Sequence, residues 1–559
     1  MTRRSARKAR RWGFAPATHT YTLDQGVRIP MRDGVELAAT HWVPQPIDSS
    51  IDGANEGPAP LVLMRTPYGR RIQPDEAMML AERGYQVLVV SCRGTFDSGG
   101  ERALFLQEPA DGQDTLAWIE QQPWFPGRAV TAGGSYVGMT QWAIASDPPA
   151  WLRGHAMSVT TSEIRDGVLY PEGVFALETA LTWMWALEMQ ERAEWRKWVG
   201  FLFMVRRDLR RSAAELPLRG AGRRLMGYEL PDLTTWIDSE DPSADYWTHL
   251  GDFGRTREGM RPIAMTSGWF DLFHTAQLRD VARLQEAGVP FRLEIGPWHH
   301  GSVGLHQATL HLWYDFLERQ LKPAQPVDDL GDDLPIRAHV GGTSDVVGLA
   351  TWPPPSTEYA CFPGSAGRLG ETPSTELVVT YDFDPADPTP AAGGRTLNIL
   401  RAGSKSQRRR ESRDDVLVFT APARTTPLTV IGAPSLRLRV RPSHDEVDYV
   451  ATLCDVDARG RSRNVTDGVV RLTGASAVRD ADGWLDLEIP LAGTAHRFEP
   501  GHAVRLQVSS GAHPIVPVNT GTGDALATAQ RLVISRHEVA VGDGTWLSLP
   551  VHTPDPVRA

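Results

Sequence analysis

Short continuous apolar runs alternate with amphipathic stretches along the first quarter of the chain. LVLM at 61–64 and VLVV at 87–90 suit strands covered on both faces. DEAMMLAER, closed by Gly84, and DGQDTLAWIEQQ suit helices, and AVTAGGS is a further strand. Strands alternating with helices of this length predict an α/β domain built on a mainly parallel sheet, with its first part at 26–144. Between 145 and 255 the pattern changes. Apolar and aromatic residues there recur at helical spacing through LETALTWMWALEMQERAEWRKWVGFLFMVRRDLRR, which predicts a helical insertion. Trp183, Trp185, Trp195 and Trp198 can line a pocket or fill a core. The α/β pattern resumes at 256–325 with the strands IAMTSG and FRLEIG and the helices TAQLRDVARLQEAG and QATLHLWYDFLERQLK. From 326 to 559 helical periodicity disappears. LPIRAHV, LVVTYDF, DYVATLCDVD and HAVRLQVSS are short alternating strands between Gly, Pro and Asp turns, the pattern of an all-β sandwich.

Composition narrows the class. Hydrophobic residues at 41% and charged residues at 23% are globular proportions, and no apolar run approaches the roughly 20 residues that cross a bilayer. TRRSARKARRW lacks the apolar region of a secretory signal, so residues 1–25 read as a disordered basic arm of a cytoplasmic protein. Cys92, Cys361 and Cys454 are far apart and show neither disulfide nor metal-ligand spacing. A net charge of −10 argues against a general nucleic-acid binder, although KSQRRRESR is locally basic.

The chemistry centres on AVTAGGSYVGMTQ. In a nucleophile elbow a strand turns sharply into a helix with a serine at the bend, and Ser135 stands at such a place. Gly133 fits the first glycine of G-x-S-x-G, while Val137 holds the second place and Gly138 follows one later. Gly-Gly-Ser is also an ordinary turn, so the motif needs partners. A serine hydroxyl needs a base, and the base needs a carboxylate. Asp271 follows the strand IAMTSG and His300 follows FRLEIG, in the chain order of α/β-hydrolases. The backbone N–H of Tyr136 is one candidate oxyanion donor, and the hydroxyl of Tyr68 in RTPYG is another.

MRDGVELA, RTPYG, RGTFDSGGE, GGSYVGMTQW, and SGWFD followed by GPWHH together resemble the cocaine esterase and X-prolyl dipeptidyl-peptidase family, the CocE/NonD hydrolases. IGAPSLRLRV and FEPGHAVRLQVSS resemble that family's C-terminal jelly roll. The resemblance implies an α/β-hydrolase domain with a helical cap and a galactose-binding-like jelly roll. It also implies a triad of Ser135, Asp271 and His300, with Tyr68 as an oxyanion donor and no metal or organic cofactor. His299 precedes His300, and a shift of one residue would make it the base; the motif register selects His300. Trp183, Trp269 and Phe273 are the aromatic residues expected at the substrate pocket. Relatives that take α-amino acid esters carry acidic residues after the triad aspartate, whereas Leu272, Phe273 and His274 follow here, which points to an uncharged acyl group. The expected activity is hydrolysis of a small-molecule carboxylic ester through an acyl-enzyme, with no nucleic-acid or membrane partner and a homo-oligomer left open. X-prolyl dipeptide release or amide cleavage is the alternative, and an inert protein binding through its jelly roll is another.

Overall fold

The computed structural model describes residues 14–47, 58–70, 74–191, 201–250, 253, 259–322, 330–331 and 334–552. Ten strands make the first sheet: β1 (His19–Pro30), β2 (Glu36–Pro46), β3 (Leu61–Thr66), β4 (Gln86–Ser91), β5 (Ala129–Gly134), β6 (Leu152–Ser158), β7 (Ile263–Gly268), β8 (Phe291–Gly296), β9 (Ile336–His339) and β10 (Val346–Leu349). Their order is β1-β2-β4-β3-β5-β6-β7-β8-β9-β10. The block from β4 to β9 is parallel, and the pairings β1–β2, β2–β4 and β9–β10 are antiparallel.

Every residue of β3 and β4 is buried, because helices cover both faces. Val62, Met64, Val87 and Val89 pack with the helices α1 (Pro74–Ala81) and, through Trp313, Phe316 and Leu317, a long helix further on. Leu61, Leu63, Leu88 and Val90 face the other way, towards α2 (Glu108–Glu120) and α3 (Tyr136–Ala145). The period of two that separates these sets is the pleat itself. After β6 the chain leaves the sheet for α4 (Leu177–Glu191), α5 (Phe201–Ala214) and further short helices, and returns at β7. Two more helices, α6 (His274–Glu286) and α7 (Val303–Leu321), flank β8 in sequence. The C-terminal region holds a nine-stranded and a four-stranded sheet, paired antiparallel, around a core that includes Leu436, Tyr449 and Phe498.

Three expected boundaries move. Residues 19–25, expected in the arm, instead lie in the sheet: His19 to Asp24 pair with Pro46 to His41 in β1 and β2, since HTYTL alternates like a strand. Residues 1–13 lie outside the described residues. Residues 152–158 fell inside the expected insertion but form β6. Arg153, Gly154 and His155 interrupt its apolar character, and the strand is nevertheless buried at all seven positions. His155 gains a partner there, its Nδ1 lying 2.7 Å from the Thr131 hydroxyl. Finally, β9 and β10 belong to this sheet and not to the sandwich. The alternation in LPIRAHV reflects a strand near the sheet's end, with residues alternately covered and open, rather than a change of domain.

Candidate active site

Ser135 occupies the turn between β5 and α3 with φ 58° and ψ −130°. Left-handed backbone at a residue with a side chain costs about 1–3 kcal/mol and persists only where the surroundings hold it. The Ser135 N–H donates to the Ser158 carbonyl at 2.9 Å, and all ten residues of α3 are buried. The two glycines of the motif are explained by what a methyl group would meet. A Cβ on Gly133, itself at φ 149°, would stand 2.1 Å from Val137 Cγ1, and one on Gly138 would stand 2.5 Å from the Thr160 side chain. The later glycine is thus needed where α3 crosses Thr160, whatever residue holds position 137.

Asp271 and His300 follow β7 and β8, which pair in parallel up to Gly268 and Gly296, so the two loops leave the sheet side by side. Asp271 is fully buried. Its Oδ1 accepts the Phe273 N–H at 2.9 Å, and its Oδ2 lies 2.8 Å from His300 Nδ1. A carboxylate only accepts, so His300 Nδ1 bears a proton, and it is Nε2 that can carry a lone pair in the neutral ring. His299 makes other contacts. Its N–H donates to the Ser302 hydroxyl at 2.8 Å, and burial, then Lys405, lowers its pKa.

Ser135 and His300 line one cavity of about 850 Å³. The Tyr68 hydroxyl faces the Ser135 hydroxyl, the Trp183 indole and the backbone N–H of Tyr136, and burial raises its pKa, which keeps the proton on the phenol. Of the three aromatic residues expected at the pocket, Trp183 lines the cavity and stacks on Trp236 with ring centroids 5.3 Å apart. Trp269 and Phe273 do not line it. The Trp269 indole N–H is drawn into the core by the His339 carbonyl at 2.8 Å, and Phe273 packs behind the His300 ring at 5.7 Å. Trp195 and Trp198 lie outside the described residues.

Several lining residues carry no motif. Glu178, Thr182 and Gln190 of α4 form one wall, Leu397 to Arg401 of the C-terminal region another. Glu178 binds these two walls together, receiving Thr396 Oγ1 at 3.1 Å, Asn398 Nδ2 at 3.0 Å and Arg401 Nε at 3.2 Å. The charged lining residues balance, Glu76 and Glu178 against Arg210 and Arg401. Among the described residues no group of three His, Cys, Asp or Glu is placed to hold a metal ion, and no helix is long and apolar enough to cross a membrane.

Comparison with known proteins adds to this geometry. A family model described as X-Pro dipeptidyl-peptidase (S15 family) matches residues 33–302, and one described as X-Pro dipeptidyl-peptidase C-terminal non-catalytic domain matches residues 333–541. The chain is 29% identical to cocaine esterase of Rhodococcus sp. (strain MB1 Bresler), over 91% of this chain and 94% of that protein. Among solved structures, an aminopeptidase from a marine sediment Thaumarchaeota archaeon aligns with a TM-score of 0.78 at 21% identity, over 97% of this chain and 98% of that one. An α-amino acid ester hydrolase aligns with a TM-score of 0.77 at 20% identity, over 96% and 98%.

Proposed function

Because the chain belongs to the X-Pro dipeptidyl-peptidase (S15) family of serine hydrolases, we propose that it hydrolyses carboxylic esters through an acyl-enzyme formed on Ser135. One observation carries the proposal: His300, bonded to Asp271, lines the same cavity as a strained serine. Ser135 Oγ attacks the ester carbonyl while His300 Nε2 takes its proton, and Asp271 stabilises the imidazolium. The Tyr68 hydroxyl and the Tyr136 N–H receive the oxyanion. His300 returns the proton to the departing alcohol. Water, activated by the same imidazole, then releases the acid and restores the serine.

Charge favours an ester over a peptide with a free N-terminus. An ammonium group needs unspent negative charge; Glu178 is already engaged by Arg401, Asn398 and Thr396, and the other lining carboxylate, Glu76, has His306 Nδ1 at 3.9 Å. The test sets a p-nitrophenyl ester against a Gly-Pro anilide, with labelling of Ser135 by a fluorophosphonate. Faster turnover of the ester and a label at Ser135 are expected. Faster turnover of the anilide would turn the assignment to dipeptide release, and a folded protein that neither reacts nor labels would overturn it.

A further inference from the structure

A carboxylate and a guanidinium lie buried behind the serine turn, and the chemistry above leaves them idle. Glu108, the first residue of α2, and Arg65, near the end of β3, are 6% and 3% exposed. Arg65 Nη2 donates to Glu108 Oε2 at 2.7 Å, and Arg65 Nη1 donates to the Glu108 carbonyl at 3.0 Å. The other carboxylate oxygen, Oε1, accepts the Tyr136 hydroxyl at 3.0 Å. That hydroxyl in turn accepts the Phe105 N–H at 2.8 Å. The network closes through Thr140 of α3, whose hydroxyl donates to the Arg65 carbonyl at 3.1 Å.

Stability alone gives little reason for such a pair, because replacing a buried ion pair by packed apolar residues is often neutral or favourable. What the pair joins is more telling. Tyr136 follows the serine and turns its backbone N–H to the hydroxyl of Tyr68, which lines the cavity, and Arg65 stands three residues before Tyr68. One carboxylate therefore grips both segments from which the oxyanion donors come. Donors of this kind work only when held in advance, within about 0.5 Å of the place where charge develops.

We propose that Glu108 is a positioning residue for the oxyanion hole, fixing the Tyr136 backbone through its side-chain hydroxyl and the Tyr68 segment through Arg65. The proposal rests on Tyr68 and the Tyr136 N–H being the donors. It separates from a merely structural role by what it does to kinetics, since an interaction that matters only in the transition state moves kcat and leaves KM in place.

Tyr136→Phe keeps the ring and the backbone N–H and removes the grip, together with the acceptor of the Phe105 N–H. On p-nitrophenyl butyrate it is expected to lower kcat about 10-fold with KM within about twofold, and to weaken a phenylboronic acid inhibitor by a matching factor. Glu108→Gln, which loosens both segments, is expected to lower kcat about 100-fold. Should Glu108→Gln fail to fold because Arg65 loses its counter-charge, Tyr136→Phe decides alone. A Tyr136→Phe enzyme that melts earlier yet keeps kcat, or that raises KM alone, overturns the proposal. Absence of both ester turnover and fluorophosphonate labelling in the unaltered enzyme would instead overturn the assignment of function.

Discussion

A cavity beside the first sheet and a buried cluster in the C-terminal region each bring together a serine and a histidine, and they differ in everything acyl transfer requires. At the carboxyl edge of the first sheet, His300 bonds the Asp271 carboxylate and shares a cavity with Ser135. In the C-terminal β region, His537 Nε2 lies 2.7 Å from the Ser535 hydroxyl and 3.2 Å from that of Ser510, and its Nδ1 lies 3.0 Å from the Tyr449 hydroxyl. Where Asp271 would stand there is a phenol. Burial lowers the pKa of His537 to about 3, and the Tyr381 ring stacks on it at 4.7 Å. A serine–histidine contact is only a hydrogen bond until a carboxylate supports the imidazolium and a cavity admits a carbonyl.

The largest effects test that contrast directly. Ser135→Ala is expected to lower kcat by about 10⁶, as loss of the nucleophile does in other serine hydrolases, while Ser510→Ala leaves ester turnover unchanged. Loss of activity in a folded Ser510→Ala protein would break the comparison. One step down, Asp271→Asn is expected to cost about 10⁴ in kcat by setting the wrong imidazole tautomer, and Tyr449→Phe nothing measurable in the same assay. His300→Ala compared with His299→Ala adds the register: only the first is expected to abolish burst-phase acylation. Tyr68→Phe comes next, with an expected loss of about 10² to 10³ in kcat at near-constant KM, and an unchanged kcat would remove the phenol from the oxyanion hole.

The serine edge was legible because its signals are local. Gly133, Ser135 and Gly138 lie within six residues, and Asp271 and His300 each follow a short segment, IAMTSG and FRLEIG, that reads as a strand. The sheet around them was read less well. β6 escaped because Arg153, Gly154 and His155 hide a strand whose burial depends on β5 and β7 lying on either side. The cavity walls escaped for a stronger reason: Glu178 meets Asn398 and Thr396 across more than 200 residues, and no periodicity records such a meeting. Trp269 was misplaced because proximity to Asp271 in sequence says nothing of side-chain direction, which the His339 carbonyl decides.

The smallest effect concerns stability, and it tests whether the C-terminal cluster is as closed as its contacts make it. Unfolded, His537 titrates near about 6.5; folded, its pKa falls to about 3 because burial disfavours the cation. Below pH 6.5 the unfolded chain therefore binds a proton that the folded one refuses, so the stability that this site provides is complete above that pH and drains away as pH falls towards 3. Each such histidine steepens the loss by about 1.4 kcal/mol per pH unit. His155, lowered to about 3, and His274, lowered to about 4, act in the same direction and remain in any His537 variant. Urea unfolding of His537→Gln at pH 7, 6 and 5 is expected to show a constant penalty for the lost hydrogen bonds and a shallower fall with acid than the unaltered protein. Equal slopes would mean that the folded cluster accepts a proton, and then its distance from the chemistry of His300 would be one of access alone.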